Sequence, residues 1–253
     1  MYVMIKNLIN CYLDSNNKIR DSLLFKNIES KISTAFRIIG VNPPWKPDEA
    51  EYWRSRNPGD KHGPENYIQE DNSTYIMFED LLKVIKADSS FLEIGCNAGR
   101  NLNYLLKRGY TDLAGIEIND PSINVVLKEH FPDLYKKGSF FIGNALDEIK
   151  KIPDARYDVV FSIGVLEHIP YEEKTLFNEI ARVSKQYIAI ITGAKSRLFN
   201  YDYENIFRKA GYTTIVYRLF YGENHKFQLP VELYNEKKHA FGSMFLRILI
   251  KNS

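Results

Sequence analysis

The sequence predicts an α/β protein with a doubly wound, mostly parallel sheet, on two observations. From residue 90 onward, short apolar runs alternate with segments of helical periodicity. Such alternation requires crossover connections, which place helices on both faces of a parallel sheet. The first apolar run leads into a turn with two glycines, Gly95 and Gly99, as expected where a strand meets a helix. Before residue 90 the alternation is absent, so we expect a separate N-terminal segment.

That N-terminal segment is predicted to be a helical and loop cap over residues 1–72. Apolar residues recur at intervals of three and four over residues 18–39, which predicts an amphipathic helix that ends at Gly40. Residues 41–67 contain five prolines and two glycines, so they are predicted to be mostly loop around one short turn near residues 49–54. We expect this cap to supply a lid and acceptor contacts.

Residues 73–253 are predicted to form the main domain. The predicted strands are FLEI, LAGIEI, SFFIG, YDVVFSIG, YIAIIT, TTIVYRLF and FLRILIK. The predicted helices include NLNYLLKRG, SINVVLKEHF, KTLFNEIARVS and YENIFRKAG, after a helix that Ser73 caps. No helix separates the last two strands, so we predict a seven-stranded sheet with an antiparallel edge strand and an insert over residues 221–243.

Composition excludes several classes of protein. Lys and Arg number 34 against 32 Asp and Glu, and no dense basic stripe is present, so no nucleic-acid partner is predicted. The two cysteines, Cys11 and Cys96, are too few for a disulfide scaffold or a cysteine-built zinc site. No stretch approaches the roughly 18 apolar residues of a spanning helix. We therefore expect a cytoplasmic protein without stable membrane insertion, and its oligomeric state stays open.

The turn in FLEIGCNAGRN narrows the class of ligand. A dinucleotide fingerprint fails because Asn97 and Arg100 stand where it needs glycines, and no Lys-Ser or Lys-Thr pair completes a P-loop. The segment resembles the first motif of the class I S-adenosylmethionine-dependent methyltransferases, an acid, one residue, then G-x-G-x-G. Glu93, Gly95 and Gly99 fall in register with it. Asn97 replaces the central glycine, and asparagine tolerates positive φ better than most residues.

Three further motifs resemble the same family, over about residues 75–219. Glu117 in GIEIN matches the acid that holds the ribose hydroxyls, Asn144 matches the adenine-contacting segment, and YDVVFSIGVLEHIP matches the fourth-strand motif. YWRSR resembles the cap helix that closes over the methionine end of the cofactor. The resemblance implies a Rossmann-like domain that binds S-adenosyl-L-methionine. The implied cofactor-binding residues are Glu93, Gly95, Cys96, Asn97, Gly99, Asn101, Glu117, Ile118, Asn144, Ala145, Ser162, Ile163, Trp53 and Arg56.

The same resemblance implies methyl transfer by in-line displacement to a small-molecule acceptor. The predicted catalytic residues are His168 and Glu167, which follow the fourth strand, with His168 as the base for a hydroxyl acceptor. A structural role for His168, in which it bridges backbone groups, is the competing interpretation. Gly164 stands where metal-dependent relatives have a glutamate, so no metal is predicted.

We expect an O-methyltransferase acting on a sugar, a glycan precursor or a secondary metabolite. Aromatic residues make up 13% of the chain, and those in the cap and the late insert are candidates for the walls of an acceptor pocket. Two different functions stay open beside it, namely a non-catalytic methyltransferase-like partner subunit and a protein methyltransferase.

Overall fold

The computed structural model describes residues 49–70, 72–193, 201–221, 227–229 and 244–252. By compactness the chain divides into Met1–Asp48 and Glu49–Ser253, and every described residue belongs to the second unit. The helix predicted over residues 18–39 and most of the predicted insert over residues 221–243 lie outside the described residues. The predicted division into a cap over residues 1–72 and a main domain over residues 73–253 therefore stays a prediction.

The described strands form one mixed sheet. Its strands are β1 (Phe91–Ile94), β2 (Leu113–Glu117), β3 (Ser139–Ile142), β4 (Tyr157–Ile163), β5 (Ser184–Gly193), β6 (Tyr212–Tyr221), β7 (Phe227–Leu229) and β8 (Met244–Lys251). The strand order is β3-β2-β1-β4-β5-β8-β6-β7. Strands β1 to β5 pair in parallel with one another, whereas β8 is antiparallel to both β5 and β6. The predicted mostly parallel α/β class is thus confirmed.

The antiparallel part of the sheet is richer than the seven-strand prediction. All seven predicted strands are present, and β7 adds a short eighth strand that pairs antiparallel with β6 inside the segment predicted as an insert. The predicted antiparallel edge strand is confirmed, because β7 forms this edge and pairs antiparallel with β6, while β8 lies between β5 and β6. Strand order of this kind depends on pairing between distant segments, which local patterns do not specify.

Helices cover both faces of the sheet. They are α1 (Glu49–Arg54), α2 (Asn72–Val84), α3 (Arg100–Leu106), α4 (Lys128–His130), α5 (Pro132–Lys137), α6 (Ala145–Ile149), α7 (Leu176–Val183) and α8 (Tyr203–Lys209), with a π-helical stretch at Ser122–Leu127. Alternate strand residues enter two separate cores. Phe91 of β1 packs in the cluster that contains α2 and α3 residues, whereas Leu92 packs with residues of α7 and α8.

The chain reverses its direction of winding between β1 and β4. From β1 the strands run outward through β2 to β3, and β4 then returns to the other side of β1. Ligands of open α/β sheets bind at the carboxyl ends of the strands beside such a switch point. The predicted motifs at residues 95–99, 117 and 162–168 lie at or directly after the carboxyl ends of β1, β2 and β4.

Candidate functional site

The turn after β1 requires glycine at two of its positions. Gly95 has φ 73° and Gly99 has φ 78°, a left-handed conformation that L side chains rarely adopt. A Cβ on Gly95 would lie 2.8 Å from Cγ1 of Val165, and one on Gly99 would lie 2.5 Å from Cδ1 of Leu127. Asn97 also has positive φ, at 45°, and its Oδ1 accepts a hydrogen bond from the amide of Ala98 at 2.7 Å. The expected tolerance of Asn97 for this conformation is confirmed.

Glu117 ends β2 with its carboxylate against the glycine turn. Its Oε2 accepts from the amide of Asn97 at 2.8 Å, and its Oε1 accepts from the amide of Asn119 at 2.9 Å. Burial raises the pKa of Glu117, and these amide hydrogen bonds act in the opposite direction. Each carboxylate oxygen has a second lone pair, so Glu117 can accept two further hydrogen bonds from a pair of hydroxyls.

Glu93 lies one strand away, inside the sheet. Its Oε1 accepts from Nδ2 of Asn101 at 2.6 Å, and Oδ1 of Asn101 accepts from the Thr74 hydroxyl at 2.6 Å. The other carboxylate oxygen, Oε2, is buried without a hydrogen-bond partner. Desolvation by burial raises the pKa of Glu93 to about 8, although the Asn101 hydrogen bond lowers it. A hydrogen-bond donor or a cation on a bound ligand would satisfy this buried oxygen.

The remaining predicted cofactor residues lie at the same edge. Asn144 caps α6, with Oδ1 accepting from the amide of Leu146 at 2.8 Å and Nδ2 donating to Glu173 at 3.0 Å. Ser162 donates to the carbonyl of Ile94 at 3.0 Å and so joins the ends of β4 and β1. The other residues of the set, Cys96, Ile118, Ala145 and Ile163, are buried or half-buried beside these groups, and burial raises the pKa of the Cys96 thiol.

His168 lies in the turn after β4 and contacts helix α1. Its Nδ1 lies 3.3 Å from Oε2 of Glu49, and its ring meets the Trp53 ring edge-on with centroids 5.4 Å apart. Both members of the Glu49–His168 pair are partly shielded from solvent. A carboxylate on Nδ1 orients the imidazole and leaves Nε2 as the second ring nitrogen available for proton transfer. This arrangement can serve a general base.

Glu167 and Arg56 have contacts of a different kind. Oε1 of Glu167 accepts from the amide of Gly193 at 3.0 Å, which ties the turn after β4 to the end of β5. The Arg56 guanidinium lies over the Tyr52 ring at 4.3 Å from its centroid, and Nε donates to the Tyr52 carbonyl at 3.0 Å. Arg56 thus folds back on its own segment, and the roles predicted for these two residues stay predictions.

Sequence reasoning missed two residues of the site, Glu49 and Asn119. Asn119 is 3% exposed and its side-chain amide donates to the carbonyls of Trp53, Arg54 and Arg56, at 3.1, 3.1 and 2.6 Å. An asparagine directly before Asp120 and Pro121 is a recognisable helix N-cap signal. No sequence signal joins either residue to a partner more than 60 positions away.

The described part of the chain lacks two kinds of feature. Within it, no group of three or more His, Cys, Asp or Glu side chains is able to hold a metal ion. Nor does any helix among the described residues have the length and apolar character needed to cross a membrane.

Comparisons with known proteins agree with the geometry. Residues 92–189 match the family model described as a methyltransferase domain. Ajmaline N-methyltransferase of Rauvolfia serpentina is 30% identical over 107 residues, which cover 42% of this chain and 36% of that protein. The match therefore spans about a third of the length of this relative.

Solved structures share the fold at low sequence identity. Magnesium protoporphyrin IX methyltransferase of Synechocystis PCC 6803, solved with bound SAM, superposes with a TM-score of 0.57 at 14% identity, over 83% of this chain and 100% of that one. The [4+2]-cyclase SpnF superposes with a TM-score of 0.55 at 14% identity, over 72% of this chain and 80% of that one. The same fold thus supports different reactions. Residues 92–189 thus match a methyltransferase domain, and the glycine turn and the acid that ends β2 lie where the motifs that resemble class I S-adenosylmethionine-dependent methyltransferases predict them.

Proposed function

We propose that this protein transfers a methyl group from S-adenosyl-L-methionine to a small-molecule acceptor, and that the acceptor atom is a hydroxyl oxygen. The observation that carries the hydroxyl assignment is the Glu49–His168 pair, in which Glu49 lies 3.3 Å from Nδ1 of the imidazole. A hydroxyl must lose its proton as it is methylated, and a neutral imidazole is suited to take that proton near neutral pH.

The residues of the site fit the cofactor in three respects. Glu117 offers carboxylate lone pairs for the ribose hydroxyls, and the absence of a side chain at Gly95 lets backbone approach the ligand closely. Oε2 of Glu93 is buried and lacks a partner, which suits a cationic or hydrogen-bond-donating group at the methionine end. Asn144 and Ala145 are the proposed adenine contacts, and Trp53 and Arg56 the proposed contacts at the methionine end.

When bound, the cofactor would supply a sulfonium methyl group, and its transfer would form a carbon–oxygen bond with the acceptor as the carbon–sulfur bond breaks with its electron pair on sulfur. Nε2 of His168 takes the hydroxyl proton, and Glu49 stabilises the resulting imidazolium through Nδ1. Glu167 fixes the turn that carries His168 relative to the end of β5. The contribution of the protein is orientation, exclusion of water and one proton transfer.

Binding of the cofactor is tested by calorimetry with S-adenosylmethionine and its demethylated product. We expect saturable binding, and no heat of binding at millimolar cofactor would reject the assignment. Acceptors are then screened in pairs, each an alcohol and an amine with the same carbon skeleton. The assay measures formation of the demethylated cofactor. His168→Gln should lower the rate with alcohols by about 100-fold or more, with an unchanged fold by circular dichroism as the control.

An amine acceptor is the second candidate, because the curated relative is an N-methyltransferase. A neutral amine nitrogen already carries the lone pair that attacks the methyl group, so it needs no base in the displacement step. His168→Gln would then leave transfer to amines near the rate of the unmodified protein at a pH where the amine is neutral. The alcohol and amine arms of the screen therefore separate the two candidates.

A non-catalytic partner subunit and a protein methyltransferase are distinguished by the same assays. The first would bind the cofactor and produce no demethylated product with any acceptor. The second would modify proteins in a cell extract and none of the small molecules. Cofactor binding and the acceptor screen therefore decide between all of these functions.

A further inference from the structure

Asn119 uses every polar atom of its side chain and its backbone amide. Its backbone amide donates to Oε1 of Glu117 at 2.9 Å, and its Oδ1 accepts from the amide and the hydroxyl of Ser122 at 2.8 and 2.7 Å. Its side-chain nitrogen donates to the carbonyls of Trp53, Arg54 and Arg56, which lie 63 to 66 positions earlier in the chain. One residue thus joins the ribose carboxylate to the end of α1.

Helix α1 depends on such an external partner. It has only six residues, none of them fully buried, so little apolar burial holds it. Helices this short are marginal in water by themselves. The last carbonyls of any helix lack donors from within that helix. The Asn119 amide supplies donors at this C-terminal end, so it fixes where α1 lies on the domain.

The position of α1 in turn determines the surroundings of His168. Glu49 and Trp53 are four residues apart on one face of α1, and both contact His168. Glu49 is the carboxylate on Nδ1, and Trp53 lies against the edge of the ring. A shift of α1 by about 1 Å would lengthen the hydrogen bond that orients the imidazole, and misplacement of this size can cost about 100-fold in rate.

We infer that Asn119 is a positioning residue, which holds α1, and with it the Glu49–His168 pair, in register with the ribose-binding carboxylate. This inference rests on the proposed function in one respect, because it assigns His168 a role in transfer. The geometric part of it, that the Asn119 amide keeps Glu49 and Trp53 against His168, is independent of any reaction.

Two substitutions at Asn119 remove the side-chain amide that donates to α1 and retain the N-cap of the helical segment at Ser122. Asn119→Asp has the same shape, but its carboxylate cannot donate to the three carbonyls and repels them. Asn119→Ser loses the longer side-chain amide that donates to the carbonyls of α1, and its hydroxyl remains a good N-cap for the Ser122 amide. Asn124→Asp is the matched control, because Asn124 is an exposed residue of the same helical segment whose amide donates to Asp120 and not to α1.

Emission from Trp53 provides a readout that needs no substrate. In a background with Trp45→Phe and His62→Gln, Trp53 is the sole tryptophan, and His168 is the one described histidine in ring contact with it. Protonation of His168 should then change the Trp53 emission as the pH falls, and the further change His168→Gln should remove that response. We expect the two Asn119 variants to lose the response and Asn124→Asp to keep it.

Turnover adds the second readout. For both Asn119 variants we expect kcat to fall at least about tenfold, with the KM for the cofactor within a few-fold, because the backbone amide that contacts Glu117 remains. Retention of the Trp53 response and of kcat by both variants would overturn the inference. Loss of cooperative unfolding in both would also overturn it, since Asn119 would then determine folding instead of position.

Failure of the proposed function gives a different result. The unmodified protein would then show no methyl transfer with any acceptor, while the pH response of Trp53 would still report whether Asn119 holds α1 against His168. The two failures are therefore distinguishable.

Discussion

Replacement of Glu93 by glutamine should stabilise the ligand-free protein at neutral pH. Burial raises the pKa of this carboxyl from 4.5 to about 8. Between these values the unfolded chain has released the proton that the folded protein still binds, so the free energy of unfolding falls as the pH rises. The loss begins near pH 4.5 and is complete above about pH 8. Glutamine keeps the shape and the acceptor for Asn101 without this penalty.

The size of the effect follows from the pKa difference. Each unit of pKa corresponds to about 1.4 kcal/mol, so the roughly 2.5 units between pH 4.5 and pH 7 amount to roughly 3 kcal/mol. At pH 5 the same reasoning gives under about 1 kcal/mol. The stabilisation of Glu93→Gln relative to the unmodified protein should therefore increase with pH and level off above about pH 8.

Urea unfolding at pH 5, 6, 7 and 8 measures this difference. The control is Glu129→Gln, which makes the same chemical change at an exposed residue and should alter the free energy of unfolding by under about 0.5 kcal/mol at each pH. A difference between Glu93→Gln and the unmodified protein that stays constant from pH 5 to pH 8 would refute the reasoning. So would a Glu93→Gln variant that is less stable at pH 7 than the unmodified protein.

Three further predictions concern the site. Glu117→Ala should weaken binding of the demethylated cofactor by about 2 kcal/mol in calorimetry, through loss of a charge-assisted bidentate contact. Unchanged affinity would show that Glu117 does not bind the cofactor. Glu49→Gln should lower kcat for alcohols by about tenfold with little change in cofactor affinity, because His168 loses the carboxylate that stabilises its charged form. Equal pH–rate profiles for the variant and the unmodified protein would contradict this prediction. Gly95→Ala should lower the thermal midpoint and abolish cofactor binding, because its Cβ would clash with Val165 at a backbone φ of 73°, and wild-type binding would show that the turn can rearrange.

Local sequence patterns predicted much of the fold and where the candidate site residues lie in it. The seven predicted strands, the turn at residues 95–99 and the acids Glu93 and Glu117 are all present at the carboxyl edge of the sheet. Short helices without strong periodicity, such as α5 and α6, were not predicted. A segment of five or six residues is helical mainly because of what it packs against, and its own sequence carries little information about that.

Contacts between distant segments could not be predicted. Glu49 and His168 are 119 positions apart, and Asn119 reaches back to the end of α1. The order of the antiparallel strands is a similar case, because β8 lies between β5 and β6 although it follows both in the chain. Patterns in a single sequence report the periodicity and backbone preferences of neighbouring residues, and they hold no record of which distant segments meet.

The sequence by itself determined the α/β class and the cofactor. Apolar periodicity and glycine at positive φ are local requirements that only certain residues meet, so both can be recognised from neighbouring residues alone. Tertiary structure decided the environment of the two acids and of the histidine. Burial raises the pKa of Glu93 to about 8, amides from a neighbouring turn surround Glu117, and a helix from before the domain's first strand supplies the partner of His168. Desolvation and hydrogen bonding arise only when the chain has folded, so these properties belong to the tertiary structure.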